Sequence, residues 1–116
     1  EDEFPATANA PEAIAVIRAA AGDAGVHDPG RPFRWSEDFG HFTARFPGAL
    51  FGLGAGSETP DLHHPEYDFP DALIPLGADL FGRIVEPGED VRRALELLDG
   101  HFASVSAEPA ANSPQA

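Results

Sequence analysis

The sequence predicts an α/β fold in which helices pack on one or two strands of a mixed sheet. Three observations predict it. Helix signals recur over residues 11–21, 36–44, 71–85 and 90–102. A single short run, 49–53, is apolar throughout, lacks helical period and ends in glycines, as strands do when helices cover both faces of a sheet. Apart from a short strand allowed near Val26, no other stretch reads as a strand, so its sheet partners are expected outside the 116 residues.

The first helix is expected from Pro11, with Asn9 or Ala10 at the N-cap, because proline at the first helical position gives up an N–H that has no partner anyway. Ile14, Ile17 and Ala21 form its apolar stripe, and Gly22 stops it. Pro29, Gly30 and Pro32 then crowd too closely for regular structure. Ser36 is a suitable N-cap for a second helix to Ala44, with Glu37 and Asp38 placed to complement its dipole. A polar histidine loop, 57–70, follows the strand. The third helix carries Leu73, Gly77, Leu80, Phe81 and Ile84 on one side and ends at Pro87-Gly88. The fourth repeats the pattern with Val91, Leu95, Leu98 and Phe102. Residues 1–103 are read as one unit and 104–116, small, polar and proline-bearing, as a disordered tail.

Composition excludes several classes of function. Seven arginines and no lysine face 20 acidic residues, a net charge of −13, with no basic cluster to displace counterions from nucleic acid or to hold an anionic membrane. Without cysteine there is no disulfide and no thiolate metal site, so any ion must be held by His, Asp, Glu or backbone oxygen. No apolar run approaches the roughly 20 residues that span a bilayer. The start, "EDEFPATANAPEA", has neither the basic opening nor the apolar core of a signal peptide, which sets a cytoplasmic expectation. The chain contains no methionine at all, and a piece of a longer protein is expected.

Chemistry concentrates in "DLHHPEYDF", 61–69. Adjacent side chains diverge, so His63 and His64 do not both ligate one ion easily; Pro65 restricts His64 and stiffens the loop. Spacing leaves a metal ligand and a solvated acidic loop both open. "WSEDFGHF", 35–42, allows a polar pocket wall at a helix start or simple capping with Phe39 and Phe42 in the core. His27, His41 and His101 have no supporting context. "GLGAG" lacks the third glycine and the following helix of a dinucleotide site.

In order, "FPATANAPEA", "RWSEDFGHF", "FPGALFGLGAG" and "LHHPEYDFPDALIPLGADLF" resemble the carboxy-terminal part of the metal-dependent amidohydrolases, the hippurate hydrolase and indole-acetyl-amino-acid hydrolase branch of the aminoacylase/carboxypeptidase-like zinc peptidases. The resemblance covers about 4–84. It implies a bilobed enzyme whose catalytic domain, a sheet between helices, is interrupted by a lid or dimerisation domain. This chain would be the returning segment of that catalytic domain, completed by the rest of it and by the lid, with a homodimer forming through the lid. It implies hydrolysis of N-acyl amino acids at a divalent-metal centre of zinc, manganese or cobalt.

By the same resemblance the His of Leu-His-x-Pro, here His63, is a metal ligand, and Ser36, Glu37 and Asp38 line the substrate pocket. Position 64 varies among such proteins. The remaining ligands and the glutamate base would lie outside these residues, so no catalytic residue is assigned and the chain alone is expected to be inactive. The Asn-Asp-Pro usual after the lid is Asn9-Ala10-Pro11 here, so any role of that Asp is lost. The competing expectation is a small acidic interaction module that keeps the scaffold only.

Overall fold

The computed structural model describes residues 3–35 and 37–107, with the backbone alone at 102 and 104–107. Four α-helices form: α1 (Pro11–Ala21), α2 (Gly40–Thr43), α3 (Leu73–Val85) and α4 (Glu89–Ala107). A 3₁₀ turn, Gly22–Ala24, extends α1. None of the helices is long and apolar enough to cross a membrane.

α1 starts as its sequence dictates. Ala10 is the N-cap, extended at ψ 133°, and Pro11 follows at the first helical position. Gly22 ends it at φ 55°, a left-handed conformation that lets its N–H reach back to the Arg18 carbonyl. Asn9, freed from capping, does something else. Its side-chain Nδ2 donates to the Leu50 carbonyl (3.1 Å) and its Oδ1 accepts the Leu50 N–H (2.9 Å). The Ala10 N–H donates to the Gly48 carbonyl at 2.9 Å. The asparagine amide thus imitates a neighbouring strand.

α1, α3 and α4 make the core. α1 packs on both other helices, most extensively on α4. The buried face of α1 is Ala13, Val16, Ile17 and Ala20, not the expected Ile14–Ile17–Ala21 stripe. Ala20, 1% exposed, meets Val91 and Ala94 of α4; small residues on both sides let the backbones approach closely, and that contact sets the rotation of the helix. Leu80, Ile84, Leu95 and Leu98 close the cluster from α3 and α4, as their spacing predicts. Phe81, expected on the same side, is exposed instead. Arg83 of α3 ties the helices: its Nη2 holds Asp79 at 2.6 Å while its Nη1 donates to the Ala20 carbonyl at 3.2 Å, near the end of α1 where a cation suits the helix dipole. His101 Nδ1 of α4 lies 3.4 Å from Glu12 Oε1 of α1. Among the described residues the other Glu12 oxygen is buried without a donor.

Three expectations change. The helix from Ser36 shrinks to α2, because Phe39, not Ser36, precedes its first turn; Ser36 itself lies outside the described residues. No strand forms among the described residues. Residues 49–53 run without turn or bend, yet a ladder needs a backbone neighbour, and the Asn9 side chain is not one. The fourth helix runs through Ala107, so 104–107 are helical, while 108–116 and the Phe102 side chain lie outside the described set.

Candidate functional site

The histidine loop is two turns back to back. The His64 N–H donates to the Asp61 carbonyl (2.9 Å), closing the first; the Tyr67 N–H donates to the His64 carbonyl (2.9 Å), closing the second around Pro65. His63 occupies the third position of the first turn with φ 72°. That position of such a turn demands positive φ and normally takes glycine or asparagine. Among the described residues His63 is the one non-glycine with positive φ. A side chain with a Cβ is held there at a cost of about 1–2 kcal/mol. Strain of this kind collects where a side chain must be aimed for a purpose.

The two imidazoles differ in availability. His64 Nδ1 accepts the Glu66 N–H at 3.1 Å, so one ring nitrogen is committed to its own turn. The His63 ring is exposed and makes no hydrogen bond or ion pair among the described residues. Thr59 supports the entry to the loop, its hydroxyl donating to the Ala55 carbonyl at 2.8 Å.

Glu37 is half-buried. One carboxylate oxygen accepts the Thr7 hydroxyl and the other accepts the Phe39 N–H. The carboxylate therefore caps the turn into α2 from inside and ties it to the segment before α1. Further contacts run along this seam: a Cβ on Gly40 would sit 2.2 Å from the Pro5 carbonyl oxygen, and His41 Nε2 lies 3.2 Å from the Glu3 carbonyl oxygen. Asp38 is exposed, its carbonyl accepting the His41 N–H at 3.0 Å. The Phe39 N–H, a donor that a helix start could offer to an anionic ligand, is taken by Glu37.

Thr7 and Asn9 are the residues that sequence reasoning missed. Both sit in "FPATANAP" at alternate positions, the spacing by which one edge of an extended segment bonds its neighbour. The sequence gives His101 no context because its partner Glu12 is 89 positions away in the chain (101 − 12). A cavity of about 190 Å³ between the segment before α1, the end of α2 and α4 includes none of His63, Glu37 or Asp38.

Among the described residues no three His, Asp or Glu side chains converge on one point that could hold a metal ion. No bond or ion pair joins His63 to Glu37 or Asp38 there. His63 offers a single imidazole donor, whereas a zinc site takes three or four protein ligands. Among the described residues the donor set is therefore incomplete.

The family model for peptidase family M20/M25/M40 matches residues 1–87, and the chain belongs to that family. Family membership brings metal-dependent peptidase or amidohydrolase chemistry to the full-length protein. No solved structure matches the chain.

Proposed function

We propose that this chain is the carboxy-terminal segment of the catalytic domain of an amidohydrolase that cleaves the amide bond of N-acyl amino acids, in the hippurate hydrolase and indole-acetyl-amino-acid hydrolase branch. One observation carries the reading: within Leu62-His63-His64-Pro65, the single strained non-glycine backbone among the described residues belongs to His63, the position the resemblance assigns to metal. His63 contributes one ligand to a divalent ion, of zinc, manganese or cobalt, and the other ligands and the base come from the remainder of the catalytic domain. In that domain, residues 49–53 join a mixed sheet between helices, and a lid domain carries a homodimer contact. Ser36 and Asp38 belong to the pocket wall; Glu37 holds that wall in shape through Thr7 and Phe39. The protein works in the cytoplasm.

The 116-residue chain by itself is inactive, because one imidazole does not retain an ion against water. The test has two arms. The purified chain is assayed on N-acyl amino acids with added zinc, manganese or cobalt, and no turnover above buffer is expected. The longer polypeptide carrying this segment is assayed with and without His63→Ala, which should lose bound metal and turnover together. Undiminished metal content in that variant would sink the assignment.

A second reading has an observation in its favour. With net charge −13 and no converging ligand set among the described residues, the chain suits a non-catalytic acidic interaction module. A longer polypeptide that neither binds metal nor hydrolyses any N-acyl amino acid would favour it.

A further inference from the structure

α4 begins just past the stretch that the family model matches, yet it carries part of the core. Val91 and Ala94 of α4 lie against Val16 and Ala20 of α1, all four buried. Arg92 Nη2 donates to the Pro87 carbonyl at 3.0 Å, across the turn by which α4 folds back. α1 is therefore held by a helix that stands outside the matched stretch.

The far end of that contact is polar. His101 Nδ1 stands 3.4 Å from Glu12 Oε1, and both side chains are half-buried. Glu12 lies in the first turn of α1, where a negative charge suits the helix dipole without any partner. Its second oxygen, however, is buried and finds no donor among the described residues, where His101 is its one ion partner. A carboxylate half withdrawn from water needs such a partner, because an unpaired buried charge is far more costly than a hydrogen-bonded one.

The segment that enters this first turn organises the candidate site. Just ahead of Glu12, the Ala10 N–H donates to the Gly48 carbonyl and Asn9 holds both backbone groups of Leu50. Thr7 donates to Glu37, whose other oxygen takes the Phe39 N–H. His101 also lines the cavity of about 190 Å³ together with Ala8 and Ala10 of that segment and Thr43 and Phe46 from the end of α2. One side chain of α4 thus reaches both sides of the seam that shapes the 37–39 turn. We propose that α4 is a clasp added to the domain and that His101 is a positioning residue. By holding Glu12 it fixes the entry of α1 and, through Thr7 and Asn9, the turn that carries Glu37 and Asp38. In the hydrolase reading, on which the kinetic consequence rests, that turn belongs to the pocket wall.

The test uses the full-length protein. His101→Ala should speed amide exchange at Ala10, Phe39 and Leu50 about tenfold, and leave Leu80 and Ile84 of α3 within about twofold. KM for an N-acyl amino acid should rise about tenfold with kcat and bound metal unchanged, a split that lost stability alone does not produce. Asparagine carries its amide nitrogen where Nδ1 stands, and glutamine carries it nearer to Nε2. His101→Asn should therefore restore exchange and KM, and His101→Gln should not. Arg93→Ala, on an exposed face of α4, should change neither. Unchanged exchange at Phe39 and Leu50 in His101→Ala, or equal rescue by asparagine and glutamine, overturns the clasp. Acceleration that spreads to α3 and is not reversed by His101→Asn overturns it too, because His101 then serves stability alone. Loss of kcat or metal at constant KM overturns the positioning of the wall. A wild-type protein without turnover overturns the hydrolase reading alone, and the exchange measurement still decides the clasp.

Discussion

At the scale of single residues, His63 decides most. Its backbone sits at φ 72°, where an imidazole-bearing residue loses to glycine, while its ring finds no partner among the described residues. Folding alone therefore does not call for histidine at this position. Replacement separates backbone from ring: His63→Gly and His63→Ala both delete the imidazole, but only glycine relieves the left-handed strain. Denaturant titration should find the glycine variant more stable than the alanine variant by about 1 kcal/mol. If alanine equals or exceeds glycine, the turn does not hold position 63 in that conformation. Glu37 asks for the opposite experiment, because its carboxylate is saturated by Thr7 and Phe39. A double-mutant cycle of Thr7→Val and Glu37→Gln should return a coupling of about 0.5–3 kcal/mol, and a value near zero would free Glu37 for direct contact with a substrate.

At the scale of elements, close backbone approach matters more than hydrophobic mass. Gly40 opens α2 against the Pro5 carbonyl, where an added Cβ would stand 2.2 Å from the oxygen. The obstacle is backbone, so relief requires the segment before α1 to move. Gly40→Ala should cost about 1–3 kcal/mol and speed amide exchange at Ala10, whose N–H reaches Gly48. Unchanged exchange at Ala10 would show that the seam tolerates the methyl. These elements also show what was legible in the sequence. α1 was readable to the residue, because Pro11 and Gly22 act locally through φ and a missing N–H. Leu80, Ile84, Leu95 and Leu98 were readable from spacing, whereas the outward turn of Phe81 was not. The face α1 buries was not, since alanines set by α4 outcompete the larger Ile14. Nor was the strand, whose pairing depends on a neighbour, or the role of Glu37, whose bond to Thr7 spans 30 residues. For the site, the sequence pointed to the loop and to His63, while only coordinates could expose the strained φ.

At the scale of the whole molecule, the chain buries too little to behave as a compact domain. Its accessible surface is 9484 Å², whereas a compact chain of 12.2 kDa exposes about 6,100 Å². Even the twelve residues outside the described set, taken at full exposure, would supply only about half of that excess. The radius of gyration, 17.0 Å, compares with about 13 Å for a compact fold of this length. The buried core consists of Ala13, Val16, Ile17, Ala20, Val91 and Ala94, with no side chain larger than isoleucine among them. Little apolar area therefore becomes newly exposed when the chain unfolds, and the denaturant slope scales with that area. Urea unfolding of the monomer, followed by far-ultraviolet circular dichroism, should give a shallow transition with a slope below about 1 kcal/mol/M, under the usual range for small domains. A steep transition with a slope typical of a compact domain would mean that α1, α3 and α4 form a self-sufficient fold.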